Sequence, residues 1–468
     1  MTSAPISAGP DDPSAVETSG RIPLLLLLGS ALAWLLVSGL LALIGAIQAH
    51  TPEFLARCSV LNYGHVQALQ ETAFVYGWIA NVGLALALWI LGRLGGQPLR
   101  AGAWVVTGTL VWNFGVALGL VGIAAGDGTA LPLLQMPAYV QPILLFAYAA
   151  IGVAGVLAWT GRRRQIMFAA QWYAVAALFL FPWMFSVAQV MLLWVPVHGV
   201  LQAITQGWFA QSLWTLWMAP LALAGAYYVV PKVTGRVLPG YELASLGFWC
   251  LLFIGGWTGG RHLIGGPAPV WISTIAIVTS TILLSHYLIV FINLRGAIGG
   301  PGTALKFISF GLAAYVLGGF VDALTSMRVV ALTTQFTWFD EAQRQLAVYG
   351  GVSMMLFGTL YFALPRLTGR SWASPGLLRG HLALSVTGIA LLVVSLGGAG
   401  LIQGRELNDA AKSFATIAAD TRPWLIAAAG AQAILLLGNL LLAVNFLWTA
   451  GCCCCCCRPK AATEAFAS

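Results

Sequence analysis

Long apolar runs separated by short polar connections dominate the chain from residue 23 onward. A helix needs about twenty apolar residues to cross the roughly 30 Å of hydrocarbon in a bilayer. Twelve such runs recur along the sequence, which predicts an all-α integral membrane protein built as a twelve-helix bundle. The predicted spans are residues 23–47, 68–93, 101–125, 138–160, 168–195, 203–230, 243–259, 268–294, 307–326, 345–364, 380–403 and 423–449.

The composition supports a membrane protein and divides the chain into three parts. Of the 468 residues, 59% are hydrophobic and 8% are charged, which excludes an ordinary water-soluble domain. Residues 1–20 are rich in Pro, Ser, Gly and Asp, so they are predicted to form a disordered N-terminal tail. Residues 21–450 form the predicted twelve-helix domain, and residues 451–468 form a Cys-rich tail.

The basic residues predict how the bundle is oriented in the membrane. Lys and Arg beside membrane helices are retained on the cytoplasmic side more often than they are translocated. With both termini on one side, that side collects fifteen of the 22 basic residues and the other side collects seven. Both termini are therefore predicted to be cytoplasmic. The net charge of +8 then reflects contact with anionic membrane lipid, and it does not indicate binding to nucleic acid.

Six of the eight cysteines form one run, Cys452 to Cys457, directly after the last predicted helix. Contiguous cysteines make poor tetrahedral metal sites, because structural zinc ligands are spaced by two or more residues. Three interpretations of the run stay open: a low-complexity cytoplasmic tail, lipid attachment to juxtamembrane thiols, and capture of a soft metal ion.

Four stretches of sequence carry a resemblance to a known family. They read SLWTLWMAPLALAGAYYVVPKVTGR (212–236), GFWCLLFIGGWTGGRHLIGGPAP (247–269), YGHVQALQETAFVYGWIANVGLALALWILGRL (63–94) and TTQFTWFDEAQRQLAVYGGVSMMLFGTLYFALPRLTGR (333–370). In order and spacing they resemble the catalytic subunit I of the heme-copper oxidases, in the C-type or cbb branch. The resemblance implies a respiratory subunit of the bacterial inner membrane that works with other membrane subunits, among them a membrane-bound cytochrome c.

The resemblance also implies three cofactors: a low-spin b-type heme held by two histidines, a high-spin heme held by one, and a copper ion held by three. Neutral imidazole is a suitable ligand for both iron and copper. In the family, one helix supplies two iron ligands in a His-x-His pattern. Residues two apart on a helix point about 200° apart, so one helix can reach hemes on its two opposite sides.

Glutamines stand at all three positions that correspond to heme ligands. Alignment on VYGGVSMMLFG puts the His-x-His pair at Gln343, facing the high-spin iron, and Gln345, facing the low-spin iron. Alignment on AFVYGWIANVG puts the second low-spin ligand at Gln70. An amide oxygen is a weak donor to iron and the amide nitrogen has no available lone pair. These positions are therefore predicted not to bind heme.

One of the three positions that correspond to copper ligands keeps a histidine. Counting back from YYVVPK puts the first ligand at Gln211, and the family's adjacent His-His pair falls on Arg261 and His262. A fixed positive charge at Arg261 would repel a copper ion in a poorly solvated interior, so copper is predicted to be absent. His262 is open to three interpretations: a vestigial ligand, a proton-relay group, or a hydrogen-bonded interior histidine.

Three further residues are candidates for chemistry. Tyr315 falls where the resemblance implies an active-site tyrosine, although a tyrosine in an apolar helix also serves as a packing residue with a satisfied hydroxyl. Asp322 is the acidic residue deepest in an apolar run, so it is either a proton-active carboxyl or a group hydrated near the outer end of its helix. His65 precedes Gln70 by five residues and would become a substitute iron ligand only after a local shift.

Three functions are weighed against one another. The leading hypothesis is a membrane subunit that keeps the oxidase fold without heme, copper or oxygen chemistry and acts as a scaffold or partner in a respiratory or redox complex. One alternative is a working cbb-type oxidase or nitric oxide reductase that binds b-type heme and copper through atypical ligands. The other is a proton or small-solute conduit, for which the sequence offers few buried acidic residues.

Loss of the hemes has a consequence for packing. Empty space of that size in a helix bundle is costly, so bulky side chains are predicted to fill it. The candidates are Trp208, Trp214, Trp217 and Trp338.

Overall fold

The computed structural model describes residues 13–163 and 166–451. Within them, twelve helices are long and apolar enough to cross a membrane, so the predicted twelve-helix fold is confirmed. In chain order the spans are α1 (Glu17–His50), α2 (Tyr63–Gly95), α3 (Gly102–Ala125), α4 (Ala138–Thr160), α5 (Ala169–Trp194), α6 (Val200–Thr234), α7 (Tyr241–Leu263), α8 (Val270–Ala297), α9 (Gly302–Thr325), α10 (Trp338–Thr368), α11 (Pro375–Leu407) and α12 (Phe414–Gly451).

The ends of the chain differ from the predicted boundaries. The first helix begins at Pro13, inside the segment predicted to be a disordered tail. Residues 1–12 and the Cys452 to Cys457 run lie outside the described residues. That both termini lie on the cytoplasmic side stays a prediction from the basic residues.

Helices α2, α6 and α10 form the centre of the bundle. In their most apolar stretches, 94%, 94% and 89% of the residues are buried, against 39–50% in the other spans of the described chain. The outer helices therefore shield these three from lipid. Side chains on α2, α6 and α10 meet protein on every face, which makes them the natural place for a functional site.

Small residues let the central helices approach one another closely. Gly83 of α2 faces Leu221 of α6, where an added Cβ would lie 2.6 Å from the leucine Cδ1. Gly225 of α6 faces Thr359 of α10, and an added Cβ there would overlap the threonine side chain. Lipid is as apolar as these side chains, so close van der Waals packing stabilises helix association in a bilayer.

The central helices also end in the same way. Gly96, Gly235 and Gly369 follow the last residues of α2, α6 and α10, with φ of 63°, 65° and 67°. A left-handed residue closes the last helical turn, and glycine adopts this conformation without a steric penalty.

Each central helix contains a π-helical segment. These segments are Ala73–Ile79 in α2, Leu213–Met218 in α6 and Leu346–Ser353 in α10. Each begins within three residues of a glutamine that occupies a ligand position. π-helical turns are rare and occur frequently at functional sites. All three segments begin near these glutamines, toward the same end of the three helices.

A pair of glycine substitutions tests the central packing. We expect Gly225→Ala to lower the free energy of unfolding by about 1–3 kcal/mol, because its Cβ would overlap Thr359. Gly152→Ala is the matched control, since a Cβ at Gly152 meets nothing within 4 Å. Unfolding in mixed micelles measures both variants. Equal stability of the two variants would contradict close packing of α6 on α10.

Candidate functional site

A large cavity lies among α2, α6, α7, α9 and α10 at one end of the bundle. Its volume is about 1330 Å³, above the ~300–1,000 Å³ typical of small-molecule sites. Residues from the connections after α1, α3 and α9 contribute to its rim, among them Pro52, Pro132 and Phe336. The predicted orientation makes this the end that faces away from the cytoplasm.

Most of the residues identified from sequence converge on this cavity. Seven of the eight line it: Gln70, Gln211, Arg261, His262, Asp322, Gln343 and Gln345. They come from five helices that are distant in sequence. The positions assigned by resemblance are therefore neighbours in space.

Tyr315 is the candidate that does not line the cavity. Its hydroxyl donates to His286 Nε2 at 2.9 Å, and His286 Nδ1 donates to the Gly247 carbonyl at 2.8 Å. Its ring contacts Trp214 and Tyr287, which do line the cavity. The structure thus gives Tyr315 a satisfied hydroxyl and a packed ring behind the cavity wall, which matches its interpretation as a packing residue.

An ion pair links α7 to α9 on the cavity wall. Arg261 Nη1 contacts Asp322 Oδ1, and the two side chains are 13% and 14% exposed. From α10, Gln343 Nε2 donates to the same carboxylate oxygen at 2.9 Å. Thr325 Oγ1 in turn donates to Gln343 Oε1 at 3.1 Å. A position that corresponds to a copper ligand and one that corresponds to the high-spin heme ligand therefore share one carboxylate.

A second polar cluster joins α2 to α10. Arg344 pairs with Glu71 at 3.2 Å and also with Glu341 of its own helix. Gln345 Nε2 donates to Glu341 Oε1 at 2.8 Å, and Gln135 donates to Glu71. The Glu341 carboxylate therefore holds Gln345, which lies at a position that the resemblance assigns to a low-spin heme ligand.

Sequence reasoning missed six charged residues on the cavity wall: Glu53, Arg422, Glu71, Asp340, Glu341 and Arg344. The last three were assigned to a connection, but α10 begins at Trp338, so they lie in its first two turns. The sequence did contain a signal for the start of this helix. The Thr337 hydroxyl accepts from the Phe339 amide and is followed three residues later by Asp340, a pattern typical of a helix N-terminus.

The two histidines considered as ligands lie in different surroundings. His262 is an exposed residue on the cavity wall, and its Nε2 accepts from Arg261 Nε at 3.3 Å. His65 is not among the residues that line the cavity, and its Nδ1 lies 3.3 Å from Asn62 Nδ2. Across residues 13–163 and 166–451, no three His, Cys, Asp or Glu side chains are grouped so that they could hold a metal ion.

The prediction that four tryptophans fill the space assigned to the hemes is wrong. Trp214 and Trp338 line the cavity without closing it, and its volume is about 1330 Å³. Trp208 and Trp217 pack against other aromatic rings.

Comparison with known proteins identifies the family. A family model described as cytochrome C and quinol oxidase polypeptide I matches residues 23–434. The chain belongs to this family. As a member of the oxidase polypeptide I family with twelve membrane spans, it is an integral membrane protein of the bacterial inner membrane.

Individual relatives agree with this assignment. Cytochrome c oxidase subunit 1 of Rhodobacter capsulatus is 26% identical over 449 residues, covering 89% of this chain and 82% of that protein. The cbb3-type cytochrome c oxidase subunit CcoN1 of Stutzerimonas stutzeri is 27% identical over 260 residues, covering 53% of this chain and 55% of that protein. A solved heme-copper terminal oxidase dimer has the same fold, with a TM-score of 0.72 at 14% identity over 97% of this chain and 86% of that one. The predicted resemblance to subunit I is confirmed.

The Arg261–Asp322 pair can be tested by a double-mutant cycle. We expect Asp322→Asn to destabilise the protein by roughly 2 kcal/mol, because it leaves a largely buried guanidinium without its carboxylate. Arg261→Met combined with Asp322→Leu should recover most of that loss, since an apolar pair replaces both charges. The measurement is the free energy of unfolding in mixed micelles.

An exposed pair provides the control for this cycle. Lys412 and Asp420 lie 3.3 Å apart with side chains 35% and 44% exposed. Asp420→Asn should leave the unfolding temperature unchanged. Additive effects of the Arg261 and Asp322 substitutions would contradict a direct interaction between them.

Proposed function

We propose that this chain is a membrane subunit with the heme-copper oxidase subunit I fold that binds neither heme nor copper, and that it acts as a scaffold or partner in a respiratory or redox complex. The observation that carries the proposal is the chemistry of the cavity wall. Of the six positions that correspond to metal ligands, four carry amides and one a guanidinium. The donor set therefore does not fit the three cofactors.

The positions that correspond to heme ligands do not suit iron, for two separate reasons. Glutamine offers iron only a weak amide oxygen, so Gln70 cannot replace an imidazole ligand. Gln343 and Gln345 are in addition engaged by Asp322 and Glu341 through their amide nitrogens. Ligation of iron at these two positions would require breaking hydrogen bonds to carboxylates, which are among the stronger ones in proteins.

The positive charge of Arg261 opposes binding of a copper ion at the positions that correspond to copper ligands. Arg261 is permanently protonated and already neutralised by Asp322, so the local carboxylate is not available to a metal ion. A divalent cation beside this guanidinium would be repelled without a solvent shell to screen the interaction. His262, the remaining imidazole, accepts a hydrogen bond from the same arginine.

A partner role follows from what the fold retains. The helices α2, α6 and α10 keep close contacts at Gly83 and Gly225, and the outer helices present apolar side chains to their surroundings. Both relatives are named as subunits of a cytochrome c oxidase, which indicates a multi-subunit enzyme. We propose that this chain occupies a corresponding place among membrane subunits, with a membrane-bound cytochrome c as one candidate partner.

The visible spectrum of the purified protein tests the proposal. We expect no Soret band and heme well below one per chain by the pyridine hemochrome assay, because none of the three positions that correspond to heme ligands carries an imidazole. Copper by mass spectrometry should likewise be far below stoichiometric.

A gain-of-ligand variant controls for heme supply in the expression host. Gln70→His combined with Gln345→His restores imidazole at both positions that correspond to the low-spin heme ligands. Heme in this variant alone would support the proposal. Stoichiometric b-type heme in the unmodified chain would overturn it in favour of a working oxidase with atypical ligands.

A conduit is the second candidate function, and one observation favours it. Five carboxylates line the cavity: Glu53, Glu71, Asp322, Asp340 and Glu341. In reconstituted vesicles, proton flux that stops when Gly318→Leu narrows the cavity would support a conduit. Flux equal to that of protein-free vesicles would exclude it.

A further inference from the structure

One buried and one half-buried amide on the cavity wall, Gln211 and Gln70, have no hydrogen-bond partner within the described chain. Gln211 is 7% exposed, lines the cavity and makes no side-chain hydrogen bond within the described chain. Gln70, on the facing helix α2, likewise has no side-chain hydrogen bond to any described residue. Nearly all buried polar groups in proteins are hydrogen-bonded, and each unmet group costs stability. Two unpartnered amides on one cavity point to a bound polar molecule.

The charge on the wall favours a cation. The described residues that line the cavity include five carboxylates and three guanidiniums. Arg261 and Arg344 are already paired within the wall. Asp340 accepts only from the Phe336 amide, at 2.7 Å through Oδ2, so its other oxygen has no partner among the described residues. Excess negative charge in a low-dielectric cleft raises the local concentration of cations.

Aromatic rings form part of the remaining surface of the cavity. Phe74, Trp214, Tyr287 and Trp338 come from α2, α6, α8 and α10 and all line it. Aromatic faces attract ammonium groups and offer apolar area to an organic body. A small inorganic cation would leave most of this apolar area unused, whereas an organic cation uses both the rings and the acceptors.

We propose that this cavity binds a protonated organic amine with an aromatic or apolar body. The ammonium donates to acceptors of the wall, with Asp340 Oδ1 and the Gln211 amide oxygen as the leading candidates, and the body packs on the aromatic rings. Entry is from the rim at Pro52 and Pro132. The inference rests on the proposed function in one respect, because a heme would occupy the same space.

A fluorescent amine tests the site directly. The probe is N-(5-aminopentyl)dansylamide, added to the purified full chain in lipid nanodiscs. Energy transfer from tryptophan to the dansyl group reports binding, since Trp214 and Trp338 lie on the cavity wall. N-pentyl dansylamide, which lacks the amine, measures partition into lipid. We expect saturable binding of the amine probe that is about tenfold tighter than any binding of the neutral one.

Single substitutions locate the binding. Gln211→Leu and Asp340→Asn should each weaken binding of the amine probe by about five- to tenfold and leave binding of the neutral probe unchanged. Gln202→Leu, on the same helix as Gln211, and Asp127→Asn are the matched controls, because neither residue lines the cavity. Gly318→Leu blocks the site sterically. An added Cβ at Gly318 meets nothing nearer than Ala347 at 3.9 Å, so this variant should fold and lose amine binding.

The outcomes separate this inference from the proposed function. Equal binding of the amine and neutral probes, or amine binding that Gln211→Leu, Asp340→Asn and Gly318→Leu all leave unchanged, overturns the amine site. If that preparation is free of heme, the proposed function stands. Stoichiometric heme in the same preparation overturns both.

Discussion

The shared carboxylate of Asp322 determines how α7, α9 and α10 meet. It pairs with Arg261 and accepts from Gln343, so three helices are joined at one oxygen atom. The Arg261 guanidinium, at a position that the resemblance assigns to a copper ligand, is therefore compensated within the protein. Because the partners are supplied by the chain itself, this part of the bundle is held together without an exogenous ligand.

The close helix contacts and the cavity lie at different positions along the same three helices, α2, α6 and α10. Gly83 and Gly225 closely contact Leu221 and Thr359, and these two glycines lie thirteen and fourteen residues beyond Gln70 and Gln211. That separation is about 20 Å along a helix. Substitution at the ligand positions therefore leaves the packing that stabilises the bundle untouched, which explains how the oxidase fold persists with a different cavity wall.

Hydropathy and family resemblance predicted most of the architecture, because membrane spans are long and the motifs of α2, α6, α7 and α10 are specific. They also identified seven residues that line the cavity. The start of α10 was misplaced because its polar first turns carry no hydropathy signal, so Asp340, Glu341 and Arg344 were assigned to a connection. The open cavity could not be foreseen, since cavity volume depends on how Trp214 and Trp338 pack in three dimensions.

The chain's own carboxylates are the partners of Arg261, Gln343 and Gln345, three of the six positions that the resemblance assigns to metal ligands. An electron density or cryo-EM map of the protein purified from its own membrane tests these contacts. We predict that the Arg261 guanidinium contacts Asp322 and that no planar macrocycle lies between Gln70 and Gln345. A porphyrin in that space, with iron ligated by any residue of α2 or α10, would contradict it.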